Sequence, residues 1–416
     1  MSARVWLIIF FRAFLFFGLH RAKLLSMNFL RAATRRYSAM STPIKFSECS
    51  PFTNVVVSSM RKLYPEALAD KSFDNTGLLL EAPFDGSRAQ NSSVLLTIDL
   101  TTAVADEAIK NRNSVIVAYH PIIFRGLKSL TFADSQQRSL LRLAQHGISV
   151  YSPHTAVDTV PEGMADWLCD VVTGNFKPVQ QTSKATVELC KSSMYSAPTY
   201  PEVPIPAVQA SSSQGPAHTR STIHPSPPAS IPEGFESAGA GRLVTFAQAQ
   251  ALTALVDHIA CGIGLPGGIP IAIPQGQSVD DISIRTVGMC PGSGSGVLMK
   301  GDGELPDLLL TGEMSHHEAL AATERGSVVI SLSHTNSERG YLRSVMQPKL
   351  LAEVKKQWDD AFRESTGAID DLDKSNGLPS PAAFQTRDLY KKQGDVRVYV
   401  SDADRDPYGI MIWRGN

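Results

Sequence analysis

Short apolar runs and amphipathic segments alternate along most of the chain. The runs at 94–98, 115–118 and 148–151 are rich in β-branched residues, a composition typical of buried strands. The segment 51–65 instead carries apolar residues every three to four positions, the spacing of an amphipathic helix. The predicted elements are helix 51–65, a turn and strand at 74–81, strand 94–98, helix 103–110, strand 115–118, helix 136–146, strand 148–151, helix 246–259, strands 283–288 and 308–310, helix 317–323, and strands 328–332 and 395–401. This alternation predicts an α/β fold with mostly parallel or mixed sheets.

The composition changes near the middle of the chain. Nine Pro residues lie there among Ser, Ala and Thr, and no apolar period survives. We therefore expect a disordered Pro/Ser-rich loop over 191–236, with a first α/β subdomain at 46–190 and a second at 237–416. A shorter mobile loop is predicted at 370–381.

The strand predicted at 328–332 leads into a second pattern, because the residues after it can cap a helix. His334 and Glu338 are four residues apart at this junction, so their side chains point the same way if the helix begins early enough. An imidazole and a carboxylate that converge beyond a strand are typical metal ligands. On this stretch alone, the simpler alternative is a capping His and a solvated Glu.

Four predicted strands are followed by residues able to bind a metal. The first is followed by His120, the second by His154 and Asp158, the third by Glu313 and the fourth by His334. Sites in α/β sheets collect beyond the carboxyl ends of strands, where loops carry function. A single His after a strand is usually an ordinary polar residue, but four such strand ends predict one shared metal site.

The first forty residues differ from the remainder. They contain seven basic and no acidic residues, and with their apolar and Ser content they fit a mitochondrial transit peptide. We therefore expect 1–40 to be a targeting segment outside the fold and the protein to be mitochondrial. A secretory signal or membrane anchor is the rival, but Arg12 interrupts the apolar run and we expect no stable membrane insertion. Starts at Met27 or Met40 would give a cytoplasmic form, and a purely cytoplasmic protein is the alternative.

The charge of the remainder bears on its partners. The chain has 39 basic and 40 acidic residues, so removing the seven basic residues leaves 32 against 40, a net charge of about −8. Binding to phosphates needs an excess of Lys and Arg, so we expect no nucleic acid partner. The five Cys residues form no CxxC pair, which fits free thiols in a reducing compartment.

Several short motifs together resemble one known family. They are YHPIIF at 119–124, HTAVD at 154–158, TGEMSHHEA at 311–319 and HTNSERG at 334–340, with DNTGLL at 74–79 and GAGR at 239–242. These motifs resemble the NIF-three-like family, whose members are also called GTP cyclohydrolase I type 2 homologues. The resemblance covers about residues 47–416 apart from the Pro-rich loop.

The resemblance implies a NIF-three-like fold: two α/β subdomains with mixed sheets flanked by helices around a shared metal site. It also implies homo-oligomeric rings, which we expect to be hexameric. Carried over by position, the metal ligands are His120, Asp158, His334 and Glu338, binding divalent ions such as Zn, Fe or Mn. Bacterial members carry two adjacent His residues before the Pro, whereas this chain has Tyr119 in the first place. The resemblance implies a centre of two cations, but a neutral phenol is a poor ligand, so we expect one or two cations in this chain.

Two functional hypotheses follow. The first is a metal-dependent hydrolase of a nucleotide or related small molecule, in which the cation lowers the pKa of a bound water. Glu313 or His154 would then move the proton as the catalytic residue. The alternative is a non-catalytic protein for metal handling or interaction, with a regulatory, transcription-related protein as partner. The replacement by Tyr119 favours this alternative.

Overall fold

The computed structural model describes residues 50–176, 195–201, 215–264, 267–301, 303–374, 381–393 and 395–414. The targeting segment predicted at 1–40 lies outside the described residues, as do 177–194 and 202–214, which lie before and within the predicted Pro-rich loop. No helix within the described ranges is long and apolar enough to cross a membrane.

Strands and helices alternate over much of the described chain. The strands are β1 (Gly77–Leu80), β2 (Ser93–Thr97), β3 (Val115–Ala118), β4 (Ser149–Ser152), β5 (His218–Pro225), β6 (Gly239–Ala251), β7 (Ile271–Ala272), β8 (Ser283–Ser293), β9 (Leu308–Glu313), β10 (Val328–Ser331) and β11 (Arg397–Val400). The helices are α1 (Pro51–Leu63), α2 (Thr102–Lys110), α3 (Ser135–Gln145), α4 (Thr155–Thr159), α5 (Met164–Val172), α6 (Leu252–Ile263), α7 (Ser295–Leu298), α8 (His316–Glu324), α9 (Arg339–Tyr341), α10 (Gln347–Lys374) and α11 (Pro381–Gln393).

The first sheet has the strand order β1-β4-β3-β2-β11. Its strands β4, β3, β2 and β11 are parallel, and β1 pairs antiparallel with β4. Every residue of β2, β3 and β4 is buried, as parallel strands covered on both faces require. The carboxyl ends of β2, β3 and β4 therefore meet at one edge.

The second sheet has the strand order β5-β6-β8-β9-β10-β7. Its strands β8, β9 and β10 are parallel, whereas β5, β6 and β7 pair antiparallel with their neighbours. The two mixed sheets flanked by helices confirm the predicted fold class. The largest buried apolar cluster takes residues from both sheets, including Val94 and Leu96 of β2 with Val287 and Met289 of β8. This shared core fixes the two sheets against each other.

The structure differs from the predicted elements and boundaries at four places. The strand β5 lies inside 191–236, where we expected disorder, and its polar residues on a sheet edge give no apolar signal. The helix predicted from 246 begins at Leu252, because residues 246–251 continue β6 beside β8. In the loop predicted at 370–381, α10 continues to Lys374, while 375–380 lie outside the described residues. Lastly, β11 pairs with β2, so the predicted boundary at 237 does not separate the sheets.

The segment after β11 ties the two sheets together at their carboxyl ends. The Asp404 carboxylate accepts a 2.8 Å hydrogen bond from the Ile98 N–H, just beyond β2, and forms an ion pair with Arg339. The Asp406 carboxylate accepts hydrogen bonds from the Thr335 N–H and hydroxyl, at 3.2 and 2.7 Å, just beyond β10. Loops from both sheets are therefore held by one short stretch of chain.

A buried arginine makes a further link between β6 and the helices. Arg242 is 3% exposed and donates to both carboxylate oxygens of Asp166 at 3.0 Å. It also donates to the Val160 carbonyl at 3.2 Å, directly after α4. This network positions the helix that carries Asp158.

The substitution Arg242→Ala tests this link. It should lower the free energy of unfolding by about 3 kcal/mol, because it leaves the carboxylate of Asp166 without its partner in a largely buried site. Arg220 provides a matched control, since it pairs with Asp170 of the same helix at 2.7 Å but both side chains are more exposed. Arg220→Ala should cost less than about 1 kcal/mol. Equal losses in urea unfolding experiments would contradict the assignment.

Candidate metal centre

Three donor side chains converge where strands of the two sheets end. His120 lies two residues beyond β3, and His334 and Glu338 flank the 3₁₀ turn Thr335–Ser337 beyond β10. The Nε2 atom of His334 is 3.5 Å from Glu338 Oε1, and that of His120 is 3.6 Å from Glu338 Oε2. One donor atom from each residue lies within 4.8 Å of the others. A 3₁₀ turn, rather than an early start of the following helix, brings this pair together.

Each imidazole is oriented by a carboxylate. The Nδ1–H of His120 donates to Asp99 Oδ1 at 2.9 Å, and the Nδ1–H of His334 donates to Glu313 Oε1 at 2.9 Å. Ionised carboxylates only accept hydrogen bonds, so the assigned tautomers carry the proton on Nδ1. The two Nε2 lone pairs are then free to bind a cation. Carboxylates commonly hold metal-binding imidazoles in this way.

Glu338 is the most constrained of the three donors. Its side chain is 1% exposed, and among the described residues its Oε2 atom has no hydrogen-bond partner. Burial raises the pKa of Glu338 well above its ordinary value, and the nearby charges of Asp158 and Asp99 add to this effect. An unpartnered carboxylate oxygen in such a place costs free energy. A divalent cation would satisfy it, so the donor set fits such an ion.

The protonation of His120 also suits metal binding. Burial lowers the pKa of His120 below its ordinary value, and this effect exceeds the opposing influence of Asp99. The imidazole therefore favours the neutral form. Only neutral imidazole binds a metal.

Tyr119 and Asp158 form a pair beside these donors. The Tyr119 hydroxyl donates to Asp158 Oδ1 at 2.8 Å and lies 2.9 Å from Oδ2. Burial raises the pKa of Tyr119 well above its ordinary value, so the phenol keeps its proton. Burial also raises the pKa of Asp158 to about 6, against the opposing charge of His154. Asp158 is not part of the group of three converging donors.

His154 is held in an unusual backbone conformation. Its φ angle is +35°, in the region that residues other than glycine rarely adopt. Its Nδ1–H donates at 2.6 Å to the Asp74 carboxylate, whose side chain is fully buried. Asp74 also accepts a hydrogen bond from the Thr155 N–H at 3.2 Å. Together these contacts place the His154 ring 5.5 Å from that of His120.

The three converging donors line a cavity of about 980 Å³, together with Tyr119, Asp158 and His154. Phe73, Phe124 and Tyr408 lie around it with exposed rings. On another side, a Cβ added to Gly292 would lie 2.7 Å from Glu338 Oε1, so the absence of a side chain allows the backbone to approach the donors. The cavity is within the size range of small-molecule sites.

The predicted site residues thus all line one cavity, but they differ in the groups that they contact. His120, His334 and Glu338 converge, whereas Asp158 pairs with Tyr119. The two predicted proton carriers also differ, because His154 lines the cavity and Glu313 binds His334. His316 and His317, which belong to the same motif as Glu313, are exposed at the start of α8, where Ser315 and Glu318 form a capping box.

Sequence reasoning missed two carboxylates that orient the imidazoles. Asp74 appeared to be a turn residue, and Asp99 appeared only as the end of a strand. An Asp that ends a strand or caps a turn looks the same whether or not its oxygen receives an N–H from a distant ring. The only available signal was that each lies at one end of a predicted strand, which does not identify its partner.

Asp158→Asn should stabilise the metal-free protein at neutral pH. The pKa of Asp158 rises from 3.8 to about 6 on folding, so the stability it contributes at low pH is lost as the pH rises through about 6. Asn cannot ionise and avoids that loss, at most roughly 3 kcal/mol and less because the group faces the cavity. Urea unfolding of the chelator-treated proteins should show the gain at pH 7.5 and little at pH 4.5. An equal difference at both pH values would contradict this explanation.

Comparisons with known proteins agree with the fold and the motifs. A model of the family Duf34/NIF3 (NGG1p interacting factor 3) matches residues 53–366. The chain is 42% identical over 306 residues to "Protein NIF3 homolog" of Schizosaccharomyces pombe, covering 73% of this chain and 90% of the relative. It is 34% identical over 301 residues to "NGG1-interacting factor 3" of Saccharomyces cerevisiae, covering 70% and 88%.

Solved structures share the fold at low sequence identity. A Bacillus cereus protein related to NIF3 aligns with a TM-score of 0.51 and 19% identity, covering 88% of this chain and all of that one. A hypothetical protein of Staphylococcus aureus aligns with a TM-score of 0.52 and 17% identity, covering 87% and 100%. With the family match over most of the described residues, these findings show that the chain belongs to the Duf34/NIF3 family.

Proposed function

We propose that the protein is a metal-dependent hydrolase of a nucleotide or related small molecule. The observation that carries this proposal is the convergence of two imidazole Nε2 atoms on the buried Glu338 carboxylate inside a cavity. A divalent cation held by His120, His334 and Glu338 would lower the pKa of water and polarise an electrophilic carbon or phosphorus. Two imidazoles and one carboxylate suit Zn, Fe or Mn.

The chain supplies a candidate for proton transfer. His154 lines the cavity, and Asp74 fixes its Nδ1–H, so its Nε2 is available as a base. In hydrolysis, the attacking water would give a proton to His154 Nε2 while its oxygen bonds to the electrophile. As the bond to the leaving group breaks, the same imidazole would return the proton to that group. Glu313 would act by orienting His334, with the proton-carrier role that we predicted for it as the alternative.

The rings around the cavity suit a planar substrate. Phe73 and Phe124 lie 6.3 Å apart and each lies within 6.4 Å of the His154 ring. Exposed aromatic rings beside a polar centre can stack on a base while the centre engages polar groups of the same molecule. This arrangement supports a nucleotide or another planar heterocycle as the substrate class.

The second candidate is a protein that interacts with a regulatory partner or handles metal without catalysis. The observation that favours it is the name of the Saccharomyces cerevisiae relative, "NGG1-interacting factor 3". Under this proposal the cation would stabilise the fold or control binding of the partner protein, and it would not act on a substrate. Only a measurement of turnover separates the two candidates.

Assembly and location complete the proposal. We expect a homo-oligomeric ring, hexameric by resemblance, and mitochondrial import directed by 1–40. Light scattering on the purified protein tests the oligomeric state.

Fluorescent fusions of the full chain and of forms starting at Met27 or Met40 test the localisation, because only the full chain should reach mitochondria.

The central experiment measures metal content and turnover together. The wild-type protein should carry a divalent metal and hydrolyse one class in a panel of nucleotides and phosphoesters. His334→Ala and Glu338→Gln should each lose the metal and at least 100-fold in turnover, because each removes a donor. His316→Ala, which changes an exposed imidazole outside the cavity, should retain both. Bound metal with no turnover on any substrate would favour the second candidate, and no metal would refute the site.

The orienting carboxylates give a separate prediction. Asp99→Ala and Glu313→Ala should each weaken Zn²⁺ binding by roughly 10–100-fold, because the imidazole loses the group that fixes its tautomer. Glu318→Ala, which alters the capping box of α8 and a contact with Ser295 but none of the metal-site donors, should leave the affinity unchanged. Competition with a chromophoric chelator measures each Kd. Unchanged affinity in both cavity variants would show that orientation by Asp99 and Glu313 is unimportant.

A further inference from the structure

We propose that this chain binds a single divalent cation through His120, His334 and Glu338, and that Tyr119 keeps Asp158 from completing a second cation site. The inference rests on the proposed metal site and concerns how many cations it holds. The resemblance to bacterial members implies a pair of cations. The geometry around Tyr119 does not fit the second one.

The Tyr119 hydroxyl faces the carboxylate of Asp158. It lies 2.8 and 2.9 Å from the two oxygens of Asp158, so one donor faces both atoms through which the carboxylate could bind a cation. The hydroxyl occupies part of the lone-pair capacity of this carboxylate, so fewer of its lone pairs are left for a second cation. Tyr119 is 3% exposed, and its ring belongs to the main apolar core, so the phenol cannot readily swing away.

Among the residues that the structure describes, too few donors lie near Tyr119 to hold a second cation. A second cation would need Asp158 together with Glu338 and at least one further ligand on the Tyr119 side. The residue at that place is a phenol whose hydroxyl already binds Asp158. In the part of the chain that the structure describes, His120, His334 and Glu338 are the one group of three or more such donors that converges.

The ligands His120, His334 and Glu338 are sufficient to bind one cation without Asp158. Two imidazoles and a carboxylate are a common ligand set for a single catalytic cation, and they leave positions open for water and substrate. Both imidazoles already have their Nδ1–H bound, and the unpartnered Oε2 atom of Glu338 faces His120 at 3.6 Å. None of these contacts involves Asp158.

The test counts bound cations. Metal-free wild-type protein dialysed against Zn²⁺ should take up one equivalent per chain. Tyr119→His, which replaces the blocking donor by an imidazole, should raise this to two, and adding Asp158→Ala to that variant should return it to one. Tyr119→Phe is the matched control and should stay at one, because it removes the hydroxyl but adds no ligand. In Mn²⁺-loaded samples, electron paramagnetic resonance should detect a spin-coupled pair only in the Tyr119→His protein.

A further variant tests the single-cation proposal even if Tyr119→His fails to fold. Asp158→Ala in the wild-type background should keep one equivalent, with a Kd within threefold of the wild-type value, because Asp158 is not a ligand. A loss of tenfold or more would overturn the proposal, as would two equivalents in the wild type or one equivalent in folded Tyr119→His. Two equivalents in the wild type would leave the proposed function intact, whereas no bound metal in any protein would refute both.

Discussion

The buried carboxylate of Glu338 is the constraint on which the rest of the site depends. Its side chain is almost inaccessible, and its Oε2 atom has no donor among the described residues. Such a group is costly in a folded protein unless something of opposite charge approaches it. The two sheets meet so that an Nε2 atom from each comes within 3.6 Å of this carboxylate. Stability alone would favour an apolar side chain at such a position, so its presence points to binding.

The surrounding structure explains how this costly arrangement persists. The two imidazoles are held by Asp99 and Glu313, so neither ring is free to rotate and donate to the Glu338 oxygens instead. The chain after β11 bonds to the backbone beyond both β2 and β10, through Asp404 and Asp406. Because these bonds fix loops from both sheets, they preorganise the three donors.

How far the sequence predicts this structure depends on how local each signal is. Buried parallel strands such as β3 are continuous apolar runs, so the sequence shows them directly. By contrast, residues 246–251 contain Ala and Gln, which favour helices, yet they continue β6, and Gln250 and Ala251 pair with β8 after an irregularity in the register. The convergent donors were predictable because His120 and His334 each follow a strand. The carboxylates of Asp74 and Asp99 were not, because their partners lie in other segments of the chain.

Tyr119 has a consequence for the chemistry open to the site. Two cations about 4 Å apart can stabilise the attacking and the leaving oxygen together, but one cation can serve only one of them well. With one cation, protonation of the leaving group falls to a side chain. His154 is the residue that we propose for this task, and its φ of +35° costs about 1–3 kcal/mol that packing must offset. Of the two proposed functions, the strained His154 beside the proposed cation site favours catalysis over metal storage, because storage would not require an oriented base.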